Sequence, residues 1–503
     1  MWEYSMDWIS QRADRTPEKT ALIDPDNNRE FTYREFDVRS SRVASFLRDE
    51  LDIGAGERVA LLTKNGPHYF EVIYGCAKGD TRYVGLNWRL TASELEHHLT
   101  DAAPSVLVYD PAFDETVEEL RSHDIVDHFV SMGDPLAGSD WTYEEALAAG
   151  SGERISNHER PRDDIWGLLY TSGTTGLPKG VKQTFDMVLY NYLNIGPLVN
   201  LTSDDTFLTV LPLFHTGGLN LYANPTLIVG GTVIIPEAFD PEQTLELLEE
   251  EANVFFGVPA IYKALIEHPE FESYDLSGVR SWGSGGARLS ESLIERYAEH
   301  DITIRQGYGM TETGPTVFLI EEDQALDRAG SVGKPAPFVD MDIVDQEAMS
   351  VDEGEEGELV IRGPGVTPGY WENEAATEEA FEDGWLHTGD IATRDEDGYV
   401  YIVDRLKNMF ISGGENVYPA EIERVLHQHD DIDEAVVVAI EDEQWGEVGR
   451  AFIVGADDLS EADVTEYCSE NLAGYKVPKE VVFLDEMPRG PTGNVERGRL
   501  KEY

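Results

Sequence analysis

Tyr170-Thr-Ser-Gly-Thr-Thr-Gly-Leu-Pro-Lys-Gly-Val181 is the stretch from which the rest of the chain is read. The apolar run 166–170 leading into it has the length of a buried strand and opens directly into glycines and hydroxyls. Glycine lets backbone N–H groups close on an anion, which Gly173 and Gly176 make room for. Thr171, Ser172, Thr174 and Thr175 add hydroxyl donors, and Lys179 adds positive charge, so the loop suits a triphosphate. It is not a Walker loop, because Lys179 is followed by Gly180 where that motif has Ser or Thr, and its glycine spacing differs. A Ser/Thr/Gly cluster alone also describes an ordinary surface turn; only the full string argues against that.

Outward from the loop, helical patterns alternate with short β-branched runs, which argues for layered α/β structure. Strands are expected at 59–62, 105–109, 206–211 and 232–235, and helices at 91–100, 241–251 and 290–300. The most apolar run, 226–235, is broken by Gly230 and Gly231 and reads as buried strand and turn; it falls short of the roughly 18 apolar residues of a membrane span. Near residue 350 the texture changes, with Gly354, Gly357, Gly363, Gly365 and Gly369 punctuating short strands such as 358–362, as in a small antiparallel or barrel-like section. Beyond it, helix (419–428), strand (434–439), helix (460–471) and strand (480–484) make a separate α+β pattern. The polar stretch 404–408 is the expected boundary, giving an N-terminal domain over 1–404 and a small C-terminal domain over 405–503.

Charge narrows the setting. Against 98 Asp and Glu stand only 38 Lys and Arg, a formal net charge of -60 spread along the chain. Such self-repulsion destabilises a folded chain in dilute buffer, whereas salt screens it within about 10 Å at 0.1 M and about 3 Å at 1 M. A halophile's interior is the expected setting, with an acidic mesophilic enzyme as the plain alternative. Nucleic acid and anionic membrane surfaces are poor partners for such a surface. The opening residues carry Glu3 and Asp7 among aromatics and lack the basic start and apolar run of a secretory signal, so a cytoplasmic location is expected. Cys76 and Cys468 are the only cysteines, which argues against a disulfide framework.

Further strings carry chemistry. Gly283-Ser-Gly-Gly-Ala-Arg288 is a tight turn on which a flat ring can lie, and Gln306-Gly-Tyr-Gly-Met-Thr-Glu312 offers an aromatic face, a hydroxyl and a carboxylate. Taken alone, Tyr308 is as readily a core aromatic. Trp385-Leu-His-Thr-Gly-Asp390 ends on a carboxylate with two acceptor oxygens, which taken alone caps the following segment. Pro212-Leu-Phe-His-Thr-Gly-Gly218 follows an expected strand; its lone histidine could equally be structural. The string from Asp404-Arg-Leu-Lys to Glu423 and the ending Pro488-Arg-Gly-Pro-Thr-Gly-Asn494 complete the series.

Thr171-Ser-Gly-Thr-Thr-Gly-Leu-Pro-Lys-Gly180 resembles the signature of the adenylate-forming superfamily of acyl-CoA synthetases, aryl-CoA ligases, luciferases and peptide-synthetase adenylation domains, and the other strings resemble its remaining motifs in the same order over essentially the whole chain. The resemblance implies a large N-terminal domain of layered α/β subdomains with a small barrel-like section, a small mobile α+β C-terminal domain, and an AMP-forming acid:CoA ligase using ATP, Mg2+ and CoA. It sets Gly285, Gly286, Ala287 and Tyr308 around adenine, with Gln306, Gly309 and Met310 in the same nucleotide-binding run. It puts Thr311 on the α-phosphate, Glu312 on Mg2+, Asp390 on the ribose hydroxyls, Arg405 on ribose or phosphate, Lys407 at the interdomain pivot, and His215 at the acyl pocket. For CoA it points to Arg89, to Gly413 and Gly414 along the pantetheine channel, to Trp445 or Tyr475 against adenine, and to Lys476 and Lys479.

One departure matters. The family pattern ends Pro-x-Thr/Ser-Gly-Lys, and here Asn494 stands where the lysine belongs. A lost donor at a developing oxyanion costs about 3–4 kcal/mol of barrier, so slow adenylation with a preserved thioester step is expected, with Arg497, Arg499 or Lys501 as stand-ins. The wording Ser412-Gly-Gly-Glu-Asn416 resembles fatty-acyl ligases more than acetate-specific ones, so a medium- or long-chain fatty acid is expected first and an aryl or succinylbenzoate-type acid second. The rival from another class is an adenylation-impaired acyl-nucleotide binder. No transmembrane segment is expected, and a homodimer is left open.

Overall fold

Strands that are apolar on both faces build the centre of the larger of the two units. The computed structural model describes residues 7–138, 140–155, 160–171, 177–287, 289, 291–345, 347–405, 410–417, 419–429, 431–456, 459–484, 486–488, 495 and 497–501, with backbone only at 292, 403–405, 416, 420 and 424. The chain divides into two units, Met1–Trp88, Leu99–Tyr170 and Gly180–Asp404 in the larger, and Arg89–His98, Thr171–Lys179 and Arg405–Tyr503 in the smaller.

Among the described residues the larger unit holds a seven-stranded sheet, in which Arg58–Leu62, Arg82–Gly85, Val106–Tyr109 and Ile165–Thr171 run parallel to their neighbours, and a nine-stranded sheet. The parallel centre of the latter is Thr232–Ile234, Thr206–Leu208, Val254–Gly257, Ser281–Ser284 and Ile304–Tyr308. Phe207, Val233, Val254 and Phe256 face the core shared with the first sheet, while Leu208, Ile234 and Phe255 face a second core. Helices Pro241–Glu250, Pro259–Ile266 and Glu291–Ala298 close that second core through Leu245, Tyr262 and Tyr297. A two-residue period with both faces buried is what a helix-covered parallel sheet requires.

The run 226–235 is a correction. Ala223–Val229 is a helix, and only Thr232–Ile234 is strand. Gly230, at φ +91, ends the helix, and the N–H groups of Gly230 and Gly231 return to the Thr226 carbonyl at 3.1 and 2.8 Å. A run apolar on every side has no period to tell buried helix from buried strand; the glycine in the left-handed region is what marks the helix end. The glycine-punctuated section is a five-stranded sheet in which Asp340–Val344, Gly357–Arg362, Trp385–Arg394 and Phe381–Glu382 pair antiparallel, packed on Ile343, Leu359, Ile361 and Val400.

In the smaller unit Ile432–Asp442 and Gly446–Gly455 form a long antiparallel pair. Ala435, Val437, Ala451 and Ile453 share a core with residues of helices Pro419–Leu426 and Glu461–Asn471, while Val436, Val438 and Phe452 pack with Met487 and Leu500 on the other face. Ser460 starts the second helix with a capping box to Asp463. Cys76 and Cys468 are buried, and burial pushes both thiols up to about 12, so neither is poised as a nucleophile. Among the described residues no helix is long and apolar enough to cross a membrane.

Candidate active site

Ser281–Ser284 and Ile304–Tyr308 lie side by side with Ser284 opposite Gln306, and each runs out at its C-terminal end into a glycine loop. Crevices at the carboxyl ends of parallel strands are where such sheets take ligands. The Gln306 side-chain oxygen accepts the Leu289 N–H at 3.1 Å and ties the first loop to the second strand. A Cβ on Gly285 would stand 3.1 Å from the Gly307 carbonyl oxygen and 3.2 Å from the Phe256 ring, and Gly286 sits at φ +77. At Gly309 a Cβ would fall 1.4 Å from the Pro315 carbonyl oxygen, so the chain folds back there only because the side chain is missing. The Thr313 hydroxyl accepts the Met310 N–H at 2.9 Å and locks that fold-back.

Thr311 and Glu312 occupy the resulting turn, Thr311–Thr313, with Glu312 5% exposed. Thr367, Tyr370 and Gln183 help hold it. The Thr367 N–H donates to the Glu312 carbonyl at 2.7 Å, the Tyr370 hydroxyl to Glu312 Oε1 at 3.0 Å, and Gln183 Nε2 to the Thr311 carbonyl at 3.3 Å. Residues 367–371 are themselves stitched to strand Lys179–Thr184: Trp371 N–H to Gly180 O at 2.7 Å, Lys182 N–H to Gly369 O at 3.2 Å, and the Thr367 hydroxyl to Lys182 O at 2.7 Å. Behind Gln183 runs a buried relay, with the Tyr74 hydroxyl on Asn224 (2.9 Å), the Asn224 amide on Asn220 (2.9 Å) and the Asn220 amide on Gln183 (3.3 Å). Buried amides persist only when bonded, so the relay fixes the turn from behind. Thr367, Tyr370 and Gln183 escaped the sequence reading. The available signal was polar residues, Asn224 above all, inside an otherwise apolar helix.

Asp390, 1% exposed, sits inside strand Trp385–Arg394, and its Oδ2 accepts the Tyr308 hydroxyl at 2.5 Å. Two motifs 82 positions apart thus meet. Asp390 lies in a strand and not at a helix start; the register shift beside it is held by Glu358, which accepts the Gly389 N–H at 3.0 Å and lies 2.8 Å from His387 Nδ1. His215 precedes the short helix Thr216–Leu219 with its ring 4.4 Å from that of Phe214. Asn65 clasps the backbone there, donating to Leu211 O at 3.0 Å and accepting the Leu213 N–H at 2.9 Å.

In the smaller unit, Gly413 and Gly414 turn between Phe410–Ser412 and Glu415–Val417. Gly413, at φ +59, donates its N–H to Trp445 O at 3.0 Å, and a Cβ there would meet the indole at 2.8 Å. Gly413, Gly414 and the 40% exposed Trp445 are therefore brought together. The basic residues named for CoA are differently placed. Arg89 pairs with Glu415. The Lys476 ammonium is buried, 2.7 Å from Glu421 and 3.0 Å from Glu94; burial pulls its pKa down, but Tyr475, Glu421 and Glu94 outweigh it and the net direction is up. Tyr475 carries that ammonium 5.7 Å from its ring centre. Lys479 is exposed, with its backbone N–H on Gly449 O. Arg497, a stand-in considered for the missing lysine, is committed to Glu423 (2.8 Å) and the Val437 carbonyl (2.7 Å); Arg499 and Lys501 are exposed.

Thr171 ends strand Ile165–Thr171 and Lys179 begins the next, while Ser172, Gly173, Thr174, Thr175, Gly176, Lys407 and Asn494 lie outside the described residues. Arg405 is described by its backbone alone, at the end of Val400–Arg405. Ala287 closes the first glycine loop, half-buried.

Comparison with known proteins adds the following. Residues 9–371 match the family described as AMP-binding enzyme, and residues 421–494 match the AMP-binding enzyme C-terminal domain. The chain is similar to a feruloyl-CoA synthase of an Amycolatopsis species, 38% identical over 98% of each protein. It is similar also to a long-chain-fatty-acid–CoA ligase of Mycobacterium tuberculosis, 36% identical over 98% of this chain and 97% of the other. Among solved structures it resembles an o-succinylbenzoate CoA synthetase double mutant from Bacillus subtilis bound with a product analogue, with a TM-score of 0.89, 30% identity and 99% of each chain covered.

Proposed function

The chain belongs to the AMP-binding enzyme family and is an acid:CoA ligase, and from that premise we propose how its residues divide the reaction. Adenine lies on Gly285, Gly286 and the Tyr308 ring, ribose at Asp390, and the α-phosphate at Thr311. A carboxylate oxygen of the acid attacks the α-phosphorus and the bond to pyrophosphate breaks. The acyl-AMP so formed has a good leaving group: the CoA sulfur, having lost its proton, attacks the acyl carbon, and the bond to AMP breaks. What carries the reading is the meeting of Tyr308, at the end of its strand, with the buried Asp390, beside the clamped Thr311–Thr313 turn.

Glu312 is the group that would hold Mg2+. Among the described residues no cluster of three His, Cys, Asp or Glu could hold a metal by itself, whereas one buried carboxylate fits a cation that arrives on phosphates and keeps its waters. Bound there, the metal offsets phosphate charge. Lys179 supplies further positive charge to the phosphates. The net charge of -60 supports work in high salt.

For the acid we put an aromatic carboxylic acid first and a medium- or long-chain fatty acid second. What favours the aromatic acid is the 38% identity to a feruloyl-CoA synthase, against 36% to the fatty-acid ligase. A panel of both kinds, assayed in molar KCl for AMP, pyrophosphate and thioester, tests the proposal. AMP release that requires an acid supports it, and ATP cleavage indifferent to every acid overturns it. Restoring the lysine with Asn494→Lys is expected to raise acid-dependent pyrophosphate exchange by about 10²-fold or more; unchanged exchange would mean that another group already serves.

A further inference from the structure

Tyr370 belongs to no nucleotide-contact string, yet it touches the carboxylate on which the metal proposal rests. Its hydroxyl lies 3.0 Å from Glu312 Oε1, and the two residues are 8% and 5% exposed. Its ring is packed with Val181 and Ala376, and its backbone bridges to Val181, so packing holds the ring while the bridge holds the main chain that carries it. Thr367, three residues earlier, grips the Glu312 backbone at 2.7 Å. The side chain and the main chain of one carboxylate are thus both held by a single five-residue segment.

We propose that Tyr370 is a positioning residue for Glu312, which sets the plane of the carboxylate through its phenol hydrogen bond and thereby sets how much Mg2+ is needed to bind ATP. The inference rests on the reading that Glu312 receives the Mg2+ of Mg-ATP. A phenol donor on an ionised oxygen is a charge-assisted bond, stronger and more directional than a neutral one. It fixes the orientation of the acceptor before the cation arrives, as partners behind a metal ligand commonly do. A carboxylate released from that bond samples other rotamers and presents the coordinating geometry for only part of the time.

The test is calorimetric titration of ATP, without acid or CoA, into the full chain in molar KCl at a series of Mg2+ concentrations, with AMP as the metal-independent control. Tyr370→Phe removes one oxygen and keeps the ring. It is expected to raise the Mg2+ concentration for half-maximal ATP affinity about tenfold, the size of one hydrogen bond to a charged group, while AMP affinity stays within about twofold. Thr367→Val removes the hydroxyl that binds Lys182 O in the same segment and leaves the phenol in place. It is expected to lower the unfolding temperature without moving the Mg2+ midpoint. Glu312→Gln separates the two layers of the proposal. If Glu312→Gln shifts the midpoint and Tyr370→Phe does not, the positioning role is wrong while the metal reading stands. An equal shift in Thr367→Val assigns the effect to loosening of the segment and also overturns the role. If Glu312→Gln leaves the midpoint unmoved, the metal reading itself falls and the inference with it.

Discussion

The two units hold their motif residues by opposite means. In the larger, the residues that matter are shaped by what is missing: Gly309 has no room for a Cβ, Gly285 lies against a carbonyl and a ring, and the Thr311–Thr313 turn is clamped by neutral donors. In the smaller, three of the cations singled out are already matched inside the protein, Lys476 by Glu94 and Glu421, Arg89 by Glu415, Arg497 by Glu423. With 98 acidic residues against 38 basic ones, a cation conspicuous in the sequence is first of all a partner for an internal carboxylate. Its prominence therefore speaks to stability before it speaks to a ligand.

The contrast breaks most clearly at Lys476. Lys476→Met strands two buried carboxylates and is expected to destabilise the smaller unit by about 3–5 kcal/mol, read by urea unfolding in molar KCl. Adding Glu421→Gln should recover part of the loss. Unchanged stability together with a raised KM for CoA would instead return Lys476 to the ligand.

Gly309→Ala comes next. The added methyl cannot coexist with the Pro315 carbonyl, so a loss of about 3 kcal/mol and of acid-dependent AMP formation is expected. Gly474→Ala in the smaller unit, where nothing lies within 4 Å of the new Cβ, should stay within about 0.5 kcal/mol. Equal effects at the two positions would erase the distinction.

The smallest effect is electrostatic. Burial holds His68 neutral, with its pKa lowered from 6.5 to about 4, whereas carboxylates keep the buried Lys476 charged. An unfolded chain binds this proton first, so the contribution of His68 is complete above about pH 6.5 and fades as pH falls toward 4. His68→Gln should lack about 2.5 kcal/mol of the pH dependence that the parent shows across that window, measured by urea midpoints at fixed KCl. Identical slopes in parent and variant would show that His68 titrates normally.

What could be read in advance follows from the same contrast. Strings that must be small or flat are written in the residues themselves, so the strand leading into Thr171 was legible, as were Gly285, Gly309, Tyr308 and Asp390 as candidates, whereas the strands Ser281–Ser284 and Ile304–Tyr308 were not. Pairings were not, because nothing in one sequence ties Tyr370 to Glu312, 58 positions away, or Lys476 to Glu94, 382 positions away. The helix Ala223–Val229 was hidden for a different reason, being apolar on all sides and without a period to reveal it.

The most direct measurement follows the oxygen. With a substrate acid labelled by 18O in both carboxylate positions, and ATP, CoA and molar KCl present, attack of the carboxylate on the α-phosphorus predicts AMP carrying one 18O atom, in equal amount to a thioester that retains one. AMP without label, or ADP in its place, would contradict acyl-AMP chemistry in this chain.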